Sequence, residues 1–267
     1  MPNFDTPQPI SAVVEIASGS IRLVASDRVD TVAEVRPRDE SRPHDVKAAE
    51  QASIDFTNGT LAVSSNRGFS FPRRGAVIVD IALPEGSRLH VSVASAQVRA
   101  DGRYADCKLE SASGDFSVES VAGNIKADTA SGVVTVDVVK GAAAISSASG
   151  DASIGDLDGE VKFRAASGSL TVRRLQGNVN AQTASGDVTV ATAVNGSMSV
   201  QTSSGAIVVG IAEGTAAQLD LRTGSGEVRN TLAPSDGPAD GDQTLVVHAR
   251  TGSGDVAVQR ATAEAMS

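Results

Sequence analysis

Apolar and polar side chains alternate along the middle of this chain, between residues 113 and 212, and glycine separates the alternating segments. An apolar residue stands two and four places after nearly every glycine, as at Phe116 and Val118 or at Val134 and Val136. Alternation with a period of two predicts β-strands with one buried face. The glycines mark the turns, and they recur every nine residues at Gly114, Gly123, Gly132, Gly141, Gly150, Gly159, Gly168, Gly177 and Gly186.

The nine-residue units are of two alternating kinds, so the full period is eighteen residues. Seven places after the glycine, units that begin with Ser-Gly carry a large apolar residue such as Val121 or Leu157, whereas the others carry alanine, as at Ala130 and Ala166. An antiparallel meander would leave its apolar face bare, because no helical pattern in the chain offers a cover. We therefore predict an all-β fold, a two-sheet parallel β-solenoid with 18 residues per coil (two nonapeptide strands) and an N-terminal β cap.

Three regions follow from where the repeat is regular. Residues 1–86 are predicted to form an N-terminal β-strand cap region continuous with the solenoid, residues 87–260 the solenoid repeats, and residues 261–267 a disordered tail. The last coil is expected to close at residues 253–258, where the Ser-Gly-Asp turn returns.

Local signals subdivide the cap. Ser18-Gly19-Ser20 lies between two apolar runs and predicts a hairpin, and Asn58-Gly59 predicts a second one. Residues 36–50 are polar and carry two prolines, so we expect a surface loop there.

Composition excludes several partners. The net charge is −9, and an acidic surface repels phosphate backbones and anionic lipids, so we expect no nucleic acid partner and no direct membrane insertion. With no Trp and one Tyr, the chain lacks stacking platforms for single strands. No apolar run approaches the ~18 residues of a membrane span. The first residues lack the basic and apolar segments of a signal peptide, so the sequence as written predicts a cytoplasmic location.

The repeat resembles a known bacterial family, the Toastrack domains, which are described as adhesin-like. The likeness lies in the recurring SGD, SGV and SGS turns followed by alternating valines, and in LPEGSRLHVSVAS at residues 83–95. It covers roughly residues 10–260. The resemblance implies a non-enzymatic β-solenoid that is often encoded in envelope-associated or stress-response contexts.

The turns lack the ligand pattern of a calcium-binding β-roll. Such rolls need G-G-x-G-x-D turns, whereas here one glycine stands in each turn and the next residue varies, as Asp115 and Val133 do. His44, His90 and His248 are too scattered for a zinc site, and the last two fall at outward positions. We therefore expect no metal and no cofactor.

No catalytic residue is assigned. Cys107 falls at an inward position, so we predict a core residue and no nucleophile. Glu119, Asp137 and Arg173 are candidates for one shared face, and carboxylates that converge with a base in one groove would indicate a carbohydrate-active enzyme. A charged surface is the simpler explanation of these three residues, and we predict no enzyme.

Two ordered files of hydroxyl groups remain. The first is predicted to be exposed at strand spacing and consists of Ser117, Thr135, Ser153, Thr171 and Thr189. It is a candidate ligand-facing surface, and the alternative is purely structural, because serine and threonine suit an exposed strand face and pair with like neighbours. The second is predicted to hydrogen-bond the backbone of the turns, and consists of Ser113, Ser131, Ser149, Ser167, Ser185 and Ser204.

Three functional hypotheses follow. The first is a binding or scaffold module that contacts another protein or a cell-surface polymer. The second is a structural protein that assembles with itself through the ends of the solenoid, because open strand edges invite pairing. The third is a carbohydrate-active β-helix enzyme. A size measurement at several concentrations separates the first two, and a groove of converging carboxylates would support the third.

Overall fold

The computed structural model describes residues 2–65, 75–234, 237–239 and 241–261. Within them lies one helix, α1 (Pro43–Glu50). The remaining elements are strands β1 (Asn3–Asp5), β2 (Ser11–Ser26), β3 (Asp30–Pro37), β4 (Ser53–Thr57), β5 (Thr60–Ser64), β6 (Val77–Pro84), β7 (Arg88–Tyr104), β8 (Cys107–Ser113), β9 (Phe116–Val121), β10 (Ile125–Ser131), β11 (Val134–Val139), β12 (Ala142–Ser149), β13 (Ala152–Ser167), β14 (Leu170–Ser185), β15 (Val188–Ser204), β16 (Ile207–Ile211), β17 (Thr215–Ser225), β18 (Val228–Asn230), β19 (Gln243–Ser253) and β20 (Val256–Arg260).

The chain divides into two compact units, unit 1 (Met1–Val136) and unit 2 (Asp137–Ser267). The division into a cap of residues 1–86 and a solenoid of residues 87–260 stays a prediction. Residues 262–267 of the predicted tail lie outside the described residues.

Strands of unit 2 run parallel, with equivalent residues side by side. Ala152 of β13 lies opposite Leu170 of β14, eighteen residues further along the chain. Between β14 and β15 the register shifts after Leu175, so that Gln176 lies opposite Asn195 and the offset becomes nineteen. The predicted all-β fold with parallel stacking is confirmed.

Inward side chains of unit 2 form columns that run from strand to strand. One column consists of Ile154, Val172, Val190, Val209 and Val258, which are paired in register and at most 1% exposed. Burying a valine contributes roughly 1.5–3 kcal/mol. These columns take the place of a globular core.

The last two coils of unit 2, each made of two consecutive strands, do not stack in chain order. β15 pairs with β19, and the other edge of β19 pairs with β17. On the opposite face β20 likewise lies between β16 and β18. The prediction that residues 253–258 close the last coil is therefore wrong, because the outermost coil is β17–β18. The twelve-residue connection over residues 231–242 is long enough for the chain to pass this coil and insert the next one behind it.

Unit 1 also contains an inserted strand. The first half of β2 pairs in parallel with β5 and β7, and its second half pairs in parallel with β6 and β7. The predicted hairpin at Ser18-Gly19-Ser20 is wrong, because β2 continues through Gly19 and no strand reverses there. Gly19 has φ of +138°, and a Cβ at this corner would clash with the carbonyl of Val77. The glycine therefore serves a coil corner, where two backbones approach closely.

Antiparallel strands cover the outermost coil of unit 1, which is β5–β6. β4 pairs with β5, β3 pairs with β6, and β1 pairs with β3. The hairpin at Asn58-Gly59 is confirmed, since it joins β4 to β5 with φ of 50° and 73°. Both values lie in the left-handed region that a two-residue hairpin needs.

Residues 36–50 are not the surface loop that we predicted, because they include the end of β3 and the helix α1. Pro43 begins the helix, at a position where a missing N–H costs nothing. Asp45 in the first turn is buried, and its Oδ1 accepts a hydrogen bond of 2.9 Å from the backbone N–H of Ala76. That contact ties the helix to the segment that leads into β6.

Candidate binding surfaces

Three members of the hydroxyl file are neighbours on one face of unit 2. Ser153, Thr171 and Thr189 are paired in register on β13, β14 and β15. Thr171 is exposed and the other two are half-buried. The strands that carry them pair on both sides, so the hydroxyl groups project from a fixed backbone at ~4.8 Å spacing. Val208 and Ala257 continue this position on β16 and β20, so the polar file ends there.

The other two members lie in unit 1. Ser117 is exposed on β9 and lies opposite Arg99 of β7. Thr135 is half-buried on β11, between the buried residues Val134 and Val136. The face of unit 1 therefore offers a guanidinium group beside its hydroxyl groups.

The aspartates that follow the turn glycines bond the next coil. In unit 1 the Oδ1 of Asp115 accepts a 2.9 Å hydrogen bond from the N–H of Val133. In unit 2 Asp151 and Asp187 accept equivalent bonds of 2.8 Å from Ser169 and of 2.7 Å from Ala206. These side chains connect adjacent turns.

Carboxylates at these turns do not form a cluster of three or more. In unit 2 Ser169 separates Asp151 from Asp187, and Ala206 separates Asp187 from Asp255, so these aspartates are two strand spacings apart, ~10 Å. Glu227 lies next to Asp255, whose Oδ1 accepts a 2.9 Å hydrogen bond from the N–H of Glu227. A calcium ion needs roughly six to eight oxygen ligands, each about 2.3–2.6 Å from the ion, so the carboxylates that bind it must converge on one point. Over the described residues no three side chains of His, Cys, Asp or Glu form a group able to hold a metal ion.

Threonine hydroxyls, and not the serine column, reach the turn carbonyls. Thr183, Thr202 and Thr251 are buried side by side. Their hydroxyls donate to the carbonyls of the glycines at 168, 186 and 205, over 3.2, 3.3 and 3.0 Å. The signal was present in the sequence, because each threonine stands two places before the serine of a Ser-Gly turn. Serines 113, 149, 167, 185 and 204 are exposed, which leaves their hydroxyls available to solvent.

Unit 1 has an open groove beside Ser113, the first residue of the serine column. Ser18, Ser95 and Ser113 lie side by side in it, with Arg38 and Asp115 also lining the groove. Its volume is about 490 Å³. The lining is hydroxyl-rich and carries one cationic and one anionic group, which suits a polar ligand.

A second open cavity of about 530 Å³ shares Arg38 and is also lined by Asp39, Arg42 and Asp45. The hydroxyl and the N–H of Ser41 donate to the Asp39 carboxylate and hold its pKa below the usual range. Asp45 is only 5% exposed, and its Oδ2 has no hydrogen-bond partner among the described residues. With Glu40 the lining holds three acidic and two basic residues, so the cavity carries charges of both signs.

Two of the three candidate catalytic groups, Glu119 and Arg173, make structural contacts. Glu119 in unit 1 accepts a 2.6 Å hydrogen bond from the N–H of Gly102. In unit 2 Arg173 donates to Asp156 over 2.8 Å, and Asp137 is exposed. Cys107 is 3% exposed, and burial raises the pKa of its thiol to about 12, so it is not a thiolate at neutral pH.

The histidines at the outward positions lie where the sequence predicted. His90 and His248 have side chains 40% and 52% exposed, and each lies just under 4 Å from a carboxylate oxygen, of Glu110 and Asp220 respectively. His44 lies in α1 and is exposed. No helix in the described parts of the chain is long and apolar enough to cross a membrane.

Comparison with known proteins finds one matching family model and several solved structures with a similar fold. A family model described as Toastrack DUF4097 matches residues 11–260. Among solved structures, the chain is similar to a putative adhesin from Bacteroides fragilis NCTC 9343, with a TM-score of 0.50 and 13% identity over 96% of this chain and 95% of that one. At this identity the likeness extends to the fold. No curated protein matches the chain.

Two further structures are similar over nearly their whole length. One is a putative lipid binding protein from Parabacteroides distasonis ATCC 8503, with a TM-score of 0.44 and 14% identity over 98% of this chain and 96% of that one. The other is a putative adhesin from the same organism, with a TM-score of 0.30 and 11% identity over 96% and 95%.

Proposed function

Because this chain belongs to the Toastrack DUF4097 family, we propose that it is a non-enzymatic, adhesin-like binding scaffold whose exposed face contacts another molecule. The observation that carries the proposal is the row of Ser153, Thr171 and Thr189, paired in register on a face of unit 2. The name of the similar Bacteroides fragilis structure, a putative adhesin, is consistent with it. Of the two partner classes that the sequence suggested, we favour a cell-surface polymer over a protein.

The chemistry of the row supports a polymer that carries hydroxyl groups. Each hydroxyl donates and accepts, so it can bond sugar hydroxyls of either polarity. The two methyl-bearing threonines also offer apolar contact beside each hydroxyl group. A rigid row at ~4.8 Å spacing loses little conformational entropy when it binds a repeating ligand. A single monosaccharide would use only part of it.

A non-enzymatic role is supported by the state of the candidate catalytic groups. Arg173 is paired with Asp156, and Glu119 is bonded to the backbone of Gly102. Cys107 is buried with a raised pKa. A carbohydrate-active enzyme instead needs two carboxyl groups about 5–10 Å apart with free access to one bond.

Co-sedimentation with insoluble cell-wall glycan tests the proposal. Thr171→Val and Thr189→Val together keep the β-branched shape and remove two hydroxyl groups, so we expect binding to weaken about tenfold, as two net hydrogen bonds would imply. Ser199→Ala is the matched control, because Ser199 is exposed on β15 and points away from this row in register with Asn180 and His248.

Two results would contradict the proposal. One is a wild-type chain that does not sediment with the glycan, and the other is a double variant that binds as tightly as the wild type. An envelope-associated location is part of the proposal, whereas the sequence as written predicted a cytoplasmic one. Fractionation of cells that express the natural gene distinguishes the two locations.

Self-assembly through an end of the solenoid is the second candidate. It is favoured by the outermost coil of unit 2, where β17 and β18 each pair with a strand on one edge. A polymer would need a second open edge in every molecule.

A further inference from the structure

The outermost coil of unit 2, β17–β18, has a free backbone edge. β17 pairs with β19 and β18 pairs with β20, and no other described strand pairs with either. The free edge of a strand presents unpaired N–H and C=O groups, which are a template for another strand.

The apolar columns of unit 2 reach this edge without a cover. Leu219 and Leu221 continue the columns of Val247 and Ala249, which are fully buried, yet both leucines are partly exposed. Val228 is 43% exposed, although its neighbour in register, Val256, is fully buried. An added strand would therefore bury apolar side chains as well as pair the backbone.

Charged residues flank the central apolar residue of the edge in a self-complementary order. Asp220, Leu221 and Arg222 follow one another in β17, and the Nε of Arg222 lies 2.9 Å from the Oδ1 of Asp220. Arg250 on β19 also donates to Asp220 over 3.4 Å. Two guanidinium groups thus share one carboxylate. Arg222 therefore has N–H groups left to donate to a second carboxylate.

We propose that two copies of this chain dimerise through β17, antiparallel, with Leu221 nearest the two-fold axis. In that register Asp220 of each copy faces Arg222 of the other, and the two Leu221 side chains meet. Opposite charges directly across a strand pair stabilise it, and like charges destabilise it. A parallel arrangement in register would instead place Asp220 against Asp220.

The dimer is closed and does not extend into a filament. A two-fold pair uses the β17 edge of both copies, and in unit 1 the apolar columns of the outermost coil are already covered by β4 on β5 and by β3 on β6. A single self-complementary patch gives a two-fold pair. One strand pair buries less than a standard interface of about 1,600 Å², so we expect reversible association.

Sedimentation velocity of the full chain from about 1 to about 500 µM tests the dimer over the range expected of a small interface. Asp220→Arg alone places like charges across the axis twice, so it should weaken the dimer about tenfold or more. Arg222→Asp alone should do the same. The double variant Asp220→Arg with Arg222→Asp restores the complementary order in both copies, so its dimer should return to within about threefold of the wild type.

An interior strand supplies the matched control. Glu160, Val161 and Lys162 of β13 have the same acid–apolar–base order, with 3.2 Å between the charged groups, but β12 and β14 occupy both edges. Charge reversal of Glu160 or Lys162 should leave association unchanged. Circular dichroism melting verifies that each variant is folded.

The proposal is overturned by a wild type that stays monomeric over the whole range, by species larger than a dimer, or by a double swap that associates no better than the single variants. It is independent of the hydroxyl row. Loss of glycan binding with an intact dimer would sink the proposed function alone, and the reverse result would sink the dimer alone.

Discussion

The outermost coils of the two units each lie beside an inserted segment, but only the coil of unit 1 is covered on its outer side. In unit 1 the coil β5–β6 lies beside an inserted strand, β2, and in unit 2 the coil β17–β18 lies beside an inserted coil, β19–β20. Antiparallel strands then cover β5 and β6, whereas no described strand covers β17 or β18. The side chains differ accordingly, since Leu61 and Val79 are fully buried and Val228 is 43% exposed.

This difference shows that an inward position alone does not bury a side chain in a solenoid. Leu219 has the same alternation around it as Leu61, but it lacks a strand on its outer side. The inward side chains of a coil are buried by the coil on each side of it, so a coil with one neighbour is only partly covered. The last coil therefore keeps an exposed apolar edge unless another segment or another molecule pairs with it.

The largest contrast is expected from a buried charge at the two coils. Leu61→Asp places a carboxylate where the side chain is fully buried, which should cost several kcal/mol of a total stability of about 5–15 kcal/mol. Leu219→Asp lies at the partly exposed coil and should cost about 1 kcal/mol. Chemical denaturation at low protein concentration measures both.

Two substitutions on an interior strand provide reference values for Leu61→Asp and Leu219→Asp. Val172→Asp should be as damaging as Leu61→Asp, because Val172 is fully buried, and Thr171→Asp should be mild, because Thr171 is exposed. Equal losses for Leu61→Asp and Leu219→Asp would show that the two coils are covered equally, which would contradict the open edge of unit 2.

A smaller contrast is expected from two glycines with positive φ. Gly19→Ala pushes a Cβ into the carbonyl of Val77, so it should cost roughly 3 kcal/mol or more. Gly214, which precedes β17, has φ of +71° and open space around it, so Gly214→Ala should cost only the backbone preference, about 1 kcal/mol. Thermal melting of both variants would contradict the corner assignment if Gly19→Ala were the milder change.

Hydrogen exchange should separate the coils without any mutation. Amides of β5 and β6 are predicted to exchange only on global opening, because strands pair on both of their edges. Amides of β17 and β18 should exchange faster by local opening in the monomer. Similar protection in both coils at low concentration would mean that something else covers β17.

The smallest effect concerns the titration of the edge. Partial desolvation raises the pKa of Asp220, but the hydrogen bonds from Arg222 and Arg250 outweigh it and hold that pKa below its usual value. The stabilisation is therefore present above the unfolded-state pKa and is lost as pH falls through the folded-state pKa. NMR titration of the carboxyl carbon should show a low pKa, and Arg222→Ala should raise it.

Asp39 in unit 1 is the counterpart in this titration. The Ser41 hydroxyl is the main cause of its lowered pKa, so Ser41→Ala should raise the pKa of Asp39 and leave that of Asp220 unchanged. A low pKa of Asp220 that persists in Arg222→Ala would show that this guanidinium group is not its main partner.

The repeating middle of the chain was predictable because its signal is local. The alternation at Val134 and Val136, or at Leu170 and Val172, predicts which side chains are buried. The regularly spaced glycines mark where the coils turn. Asn58-Gly59 was equally clear, because only a few residue pairs suit a two-residue hairpin. Such features depend on the residue types at one place in the chain.

Features that depend on distant partners were missed. A glycine at position 19 is compatible both with a hairpin, where the chain reverses, and with a coil corner, where it does not. Only the parallel pairing of β2 with β7 shows that it is a coil corner. The helix α1 is too short and polar to show periodicity, and its contact with Ala76 lies 31 residues away. The hydroxyl row was found by its spacing, but its interruption by Val208 requires the register of β16.

Stacking order was the least predictable property. β17 and β19 have similar alternation, so either one can pair with β15, and the sequence pattern alone makes the chain order the simplest choice. The open edge of unit 2, and with it the proposed dimer, depends on the order that the structure adopts.

Cysteine cross-linking measures this order most directly. Ser199 lies opposite His248, and His248 lies opposite Asp220, so Ser199 and Asp220 are two strands apart, ~10 Å. Disulfides need Cα atoms closer than about 7 Å. We predict that Ser199→Cys with His248→Cys, and His248→Cys with Asp220→Cys, oxidise to intramolecular disulfides in dilute solution, and that Ser199→Cys with Asp220→Cys does not. A disulfide between positions 199 and 220, with none between 199 and 248, would contradict the inserted coil.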